Sequence, residues 1–276
     1  MTSLLLSTPA ASRALAARER VPLYQALTAL ALALSALCLL WIPFEARQIA
    51  GVPVFLKPMK FAISFATLFG TLALLETCLT AKARQGWVYR LTGLVMAAAF
   101  LAEMAYLFWQ AARGEASHFN LSTPFHAFMY RSVMGGGALA LVVGIGLIGW
   151  IARRDEGARL GPALREGIWL GFLASSILTL VIAGTMSAGA GPFTGSHPPG
   201  APVLPFFGWS GVTGDLRPAH FLSLHAMQVL PLVGLWCERI SPARARGFTR
   251  LAALVYAVLT LAVFAQALAG RPLIAL

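Results

Sequence analysis

The sequence predicts an all-α, polytopic transmembrane helical bundle of about seven helices, with the N-terminus cytoplasmic and the C-terminus outside. Three observations predict it. Of 276 residues 58% are hydrophobic and only 11% charged, whereas a soluble domain carries about 25% charged residues. Mean hydropathy is +0.76, and the apolar residues fall in runs near the roughly 20 residues needed to cross a bilayer. The basic residues, which give a net charge of +11, sit at the ends of those runs. They do not form one stripe, so they set topology and touch anionic headgroups, and no nucleic-acid partner is expected.

The elements follow in order. Residues 1–20 read as a short cytoplasmic leader holding Arg13, Arg18 and Arg20. Val21 to Pro43 is too long for a signal-peptide core of about 7–15 residues and reads as a first, uncleaved helix. Six further apolar runs follow at about 54–79, 89–111, 126–151, 167–188, 218–238 and 248–270. Residues 21–276 thus form one helical domain, with a long outer loop at about 188–218. With the N-terminus inside, 14 Lys and Arg fall on cytoplasmic segments and 7 on outer ones. Lys and Arg prefer the cytoplasmic side, and seven spans preserve that alternation. Gly167, Gly171 and Ser175 make a small-xxx-small face on the fifth helix, a surface that lets backbones approach closely in lipid. Gly135, Gly136 and Gly137 allow close contact or bending in the fourth. Loops of about 30 residues are uncommon in compact domains. The one at 188–218 contains Phe206, Phe207 and Trp209 and is expected to fold back over the outer mouth.

All five histidines, His118, His126, His197, His220 and His225, map to outer loops or outer helix ends. Histidine is the commonest metal ligand and holds haem iron in pairs across helices. The reading is therefore an outward-facing haem or transition-metal site, with His225 and His118 as first ligands, His220 and His126 as substitutes, and His197 the weakest. His220 and His225 are five apart, about 140° around a helix, which keeps them from sharing one small ion if both are helical. Lys60, Arg131 and Arg217 are the candidate binders of a propionate or another anion. Lys57 shares the Lys60 face and reads as snorkelling to headgroups.

Glu103 lies well inside the third helix, where an ionisable group is expensive and suggests function with a partner. It is the candidate proton-relaying residue, with Arg131 or Lys60 as its expected partner. Glu76 lies nearer the inner end and reads as interfacial. Cys38, Cys78 and Cys237 stand apart, without metal or disulfide spacing. No Walker motif, dinucleotide fingerprint or nucleophile elbow occurs. Function therefore divides between a cofactor-bearing protein, with electron transfer or oxidoreductase chemistry, and a cofactor-free small-solute or proton-coupled transporter or channel. A third reading is an accessory subunit whose long loop docks a periplasmic protein.

Three stretches, Leu56-Lys57-Pro58-Met59-Lys60-Phe61-Ala62, Arg113-Gly114-Glu115-Ala116-Ser117-His118-Phe119-Asn120, and Gly214-Asp215-Leu216-Arg217 running into His220 and His225, resemble an uncharacterised group of bacterial multi-pass inner-membrane proteins. That resemblance covers most of the chain. It implies a bacterial inner-membrane setting and carries no activity or site residue with it.

Overall fold

The computed structural model describes residues 22–49, 51–189 and 191–276; the leader at 1–20, with its three arginines, lies outside the described residues. Among the described residues seven helical rods are long and apolar enough to cross a membrane. They are α1 (Leu23–Trp41, extended by a 3₁₀ turn to Phe44), α2 (Leu56–Cys78) and α4 (Trp87–Arg113), then a rod from Pro124 to Arg154, and finally α7 (Pro162–Ala188), α8 (Arg217–Ile240) and α9 (Ala245–Leu268). The short α3 (Ala81–Gln85) links α2 to α4, and β1 (Gln48–Ile49) pairs with β2 (Val52–Pro53) ahead of α2. The fourth rod is composite: α5 (Pro124–Phe128), a π-helical segment (Met129–Met134) and α6 (Gly135–Arg154). A helix satisfies its own backbone in hydrocarbon, where water offers no partner, so each apolar run became one rod within a few residues of its predicted limits.

One core cluster joins the first six rods, with Tyr24, Phe65, Phe69, Met96, Phe100, Ile145, Phe172 and Met227 inside it. Leucines and valines of α9, such as Leu254, Val258 and Leu259, stay exposed, as expected of a surface that meets lipid tails and gains nothing by turning inward. The tightest helix pair is α7 against α8. A methyl group at Gly167 would sit 2.4 Å from the Leu230 carbonyl oxygen, and one at Gly171 2.6 Å from that of Ala226. Ser175 Oγ completes the predicted face by donating to the Leu224 carbonyl at 3.1 Å. Gly234 on α8 answers it, since a methyl there would lie 2.4 Å from the Ala163 carbonyl oxygen.

The two ends of the bundle differ. At one end, called basic here, Glu166 of α7 receives Arg153 of α6 at 3.2 Å and Arg250 of α9 at 2.7 Å. Asp155 accepts from the backbone and hydroxyl of Thr80 at 2.7 and 2.9 Å. Glu238 of α8 accepts from the backbone N–H groups of Ala163 and Leu164, at 2.5 and 3.2 Å, satisfying the first turn of α7, whose donors have no partner within the helix. The opposite end carries the 114–123 and 189–216 loops. There Arg47 donates to the Ala112 carbonyl at 2.8 Å, tying the segment before β1 to the end of α4.

Candidate functional site at the loop-bearing end

The 189–216 loop is held by Asp215. This carboxylate, 2% exposed, accepts from the Ser210 backbone at 2.9 Å and from the backbone N–H of Arg217 at 3.0 Å. The Arg217 guanidinium returns to it at 2.6 Å, reaches the Gly208 carbonyl at 2.6 Å and covers the Phe193 ring. Two bridges, Phe193 with Asp215 and Val203 with Ser210, draw the loop together. Its tip then lies against the bundle: Lys60 of α2 donates to the Phe207 carbonyl at 3.2 Å beneath the Phe206 ring, and Phe207 and Trp209 pack on Phe221 of α8. The loop thus folds back onto the helices as its aromatic content predicts. Lys60 and Arg217 are both spent on holding it.

Behind that tip, three ionisable groups approach one another. Glu103 of α4 is 4% exposed, and its Oε2 has no hydrogen-bond partner among the described residues. Its other oxygen faces Gly137 of α6, where a methyl group would come within 3.6 Å; glycine there leaves room for the carboxyl. Lys57 of α2 lies within electrostatic reach of Glu103, Arg217 and His118. It is half-buried and makes no hydrogen bond or ion pair among the described residues. His118, in the 114–123 loop, packs between Phe61 and Tyr130 and meets Ser117 Oγ at 3.1 Å. Burial, seconded by the Lys57 ammonium, holds its imidazole well below the usual histidine pKa, so it presents a neutral ring.

The basic residue within electrostatic reach of Glu103 is therefore Lys57, not the expected Lys60 or Arg131. Positions three apart differ by about 60° around a helix; that turn aims Lys57 at α4 and Lys60 at the loop. Arg131, on the π-helical segment, is exposed and unpaired among the described residues. A charge at the membrane-facing end of a span reaches water along its own stem, which removes the need for an internal partner.

The histidines are parcelled out separately. His126 is buried, with Nδ1 3.1 Å from the Tyr106 hydroxyl and Nε2 3.3 Å from the Glu115 carboxylate. It borders an open depression of about 680 Å³ lined also by Arg113, Asn120 and Thr123. The Arg113 guanidinium, hydrogen-bonded to Glu115, holds that carboxyl below the usual range. His197 stacks on Phe193 and meets Ser210 Oγ at 3.1 Å. His225 lies on Phe221, one turn from Gln228, which donates to Thr71 of α2 at 3.0 Å. His220 has a buried Nδ1 without a partner. Helix α8 begins at Arg217, so the 140° between His220 and His225 applies. Among the described residues no group of three or more His, Cys, Asp or Glu is placed to hold a metal ion.

Lys57 and Asp215 are the residues that reading the sequence undervalued. The signal for Lys57 was its place beside Pro58 in the first turn of α2; the signal for Asp215 was the Asp-x-Arg spacing ahead of α8. Comparison with family models, curated proteins and solved structures finds no match to this chain, so the site is read from its own geometry.

Proposed function

We propose that this integral membrane protein is a proton-linked carrier of a small anion in a bacterial inner membrane, with the loop-bearing end facing the periplasm. The observation that carries the proposal is the Lys57–Glu103 pair: a cation without a hydrogen-bond partner beside a buried carboxyl with one unsatisfied oxygen. Buried polar atoms are normally satisfied, and an unpaired ionisable group inside a span marks function. Around the pair Lys57, Lys60 and Arg217 face Glu103 and Asp215, so three positive charges meet two negative ones, and His118 adds none. The surplus favours an anion. Proton uptake by Glu103 removes the competitor for Lys57, so a bound proton and a bound anion support each other by linkage.

The test is uptake of acetate, succinate and inorganic phosphate into proteoliposomes under an imposed pH gradient, with equilibrium binding on the same preparations. Affinity for the transported anion should rise as pH falls in the native protein and stay flat in Glu103→Gln. Lys57→Met should lose binding at least tenfold, the equivalent of about 1.4 kcal/mol. Equal binding by native protein and Lys57→Met would remove the proposal. The haem or transition-metal reading has one observation in its favour, the unpartnered Nδ1 of His220. A Soret band in the purified protein, lost in His220→Ala, would put that reading first.

A further inference from the structure

The basic end holds a second set of polar atoms that the anion site does not use. Tyr24 of α1 and Tyr89 of α4 meet inside the bundle, with the two phenol rings 6.0 Å apart and edge-on, and Glu76 of α2 lies within electrostatic reach of both. The hydroxyls of Tyr24 and Tyr89 and the Oε2 of Glu76 are all buried, and none has a hydrogen-bond partner among the described residues. Tyr24 is 1% exposed and Tyr89 6%, so neither belongs to the aromatic girdle that meets headgroups. Gly93 admits the Tyr24 hydroxyl, which would lie 3.3 Å from a methyl group at that position.

Glu76 itself is only half-buried. Its Oε2 is buried while the residue keeps accessible surface. Its charged surroundings are Arg84 of α3, within electrostatic reach of both Glu76 and Tyr89, and Arg159, which donates to the Thr77 carbonyl at 2.6 Å. Asp155 holds the next turn through Thr80, and the Cys78 thiol points back to the Leu74 carbonyl. Toward the other end the path is closed by rings: Tyr24 stacks on Phe69, which packs with Phe65 and Phe100. From Tyr89 to Glu103 is 14 residues along α4, about 21 Å.

We propose that Tyr24, Glu76 and Tyr89 form a second proton-exchange site, serving the basic end as Glu103 serves the loop-bearing end, with the Phe65–Phe69–Phe100 plug between them. The inference rests on the reading of Glu103 as a proton carrier. Its chemistry is simple. When Glu76 is ionised, a small shift of its side chain lets a phenol donate to it. When Glu76 takes a proton from water at the basic end, its new O–H donates to a phenol oxygen, and release returns that proton to water. A phenol can donate to a carboxylate or accept from a carboxylic acid, so one small side-chain shift serves both states. Arg84 supplies the opposite charge for the ionised state. A dry plug keeps the two sites from short-circuiting, so proton transfer between ends requires the helices to move.

Infrared difference titration of the full-length protein in lipid nanodiscs tests this without any transported solute. The native protein should show carboxyl C=O bands that appear and vanish reversibly with pH. Glu76→Gln should lose one of them. Tyr89→Phe and Tyr24→Phe should keep that band and shift its frequency, because each removes a polar neighbour that the carboxyl can bond to. These two variants carry the test if Glu76→Gln does not fold. A Glu76→Gln spectrum superimposable on the native one, or bands unmoved in both phenylalanine variants, would overturn the second site. Loss of the Glu103→Gln effect on anion binding, with the Glu76 band intact, would instead remove the carrier reading.

Discussion

One substitution made at two places on the same helix tests whether α7 and α8 are held by backbone contact. At Gly167 an added methyl would lie 2.4 Å from the Leu230 carbonyl oxygen, 2.9 Å from its carbon and 3.1 Å from the Pro231 Cα. Ordinary contact begins at 3.4 Å, so the seam must open by about 1 Å, and a gap of that size forfeits roughly a quarter to a half of each dispersion contact along it. Overpacking of this kind costs about 1–3 kcal/mol. Alanine also recovers about 0.5–1 kcal/mol of glycine's conformational cost, leaving Gly167→Ala destabilised by about 0.5–2 kcal/mol. At Gly184, nearer the end of α7, nothing lies within 4 Å of an added methyl. There only the gain remains, so Gly184→Ala should be stabilised by about 0.5–1 kcal/mol. Thermal unfolding followed with a thiol-reactive dye suits the chain, because Cys38 and Cys237 are buried and report loss of packing directly. The midpoints of the two variants should separate by a few degrees, at about 2–4 °C per kcal/mol. If Gly167→Ala is as stable as Gly184→Ala, the close backbone seam is wrong.

Three further outcomes are expected. Glu238→Ala leaves the Ala163 and Leu164 donors without their acceptor and should cost about 1 kcal/mol, read as faster hydrogen exchange confined to the first turn of α7. Asp215→Asn weakens the bonds that Arg217 and the Ser210 backbone make to this carboxylate. Limited proteolysis should then cut the 189–216 loop several times faster while leaving the helices intact. At the segment before β1, hydrogen bonds from the Arg47 side chain hold the Glu45 carboxyl down at about 2. Because the folded value is depressed, this contribution is present above the usual carboxylate range near about 4.3 and is lost as pH falls through about 2. Melting of native protein minus Glu45→Gln should therefore converge on acidification between those values, and a difference that grew with acid would refute the pairing.

The number, length and order of the spans were legible in the residues because the bilayer imposes a one-dimensional rule: each apolar run must satisfy its own backbone along its own axis. The Gly167-Gly171-Ser175 face was legible for the same reason, since i, i+4 spacing alone puts small residues in one line. The aromatic loop around Phe206 and Trp209 likewise announced itself by composition, although the Asp215 knot that orders it depends on contacts across the loop. Which helix each face meets is a property of the bundle, and there the tertiary structure decided. It took Glu103 to Lys57 instead of Lys60 or Arg131, because a rotation of about 60° on α2 is invisible without the position of α4. It parted five histidines that share one end into separate surroundings, because sharing an end constrains depth in the membrane and leaves the angle around the bundle free. It also turned Glu76 from an interfacial residue into the neighbour of two buried phenols. Depth is written along each helix by the solvent it must match; adjacency arises only when rods of fixed depth choose their rotations and neighbours by packing.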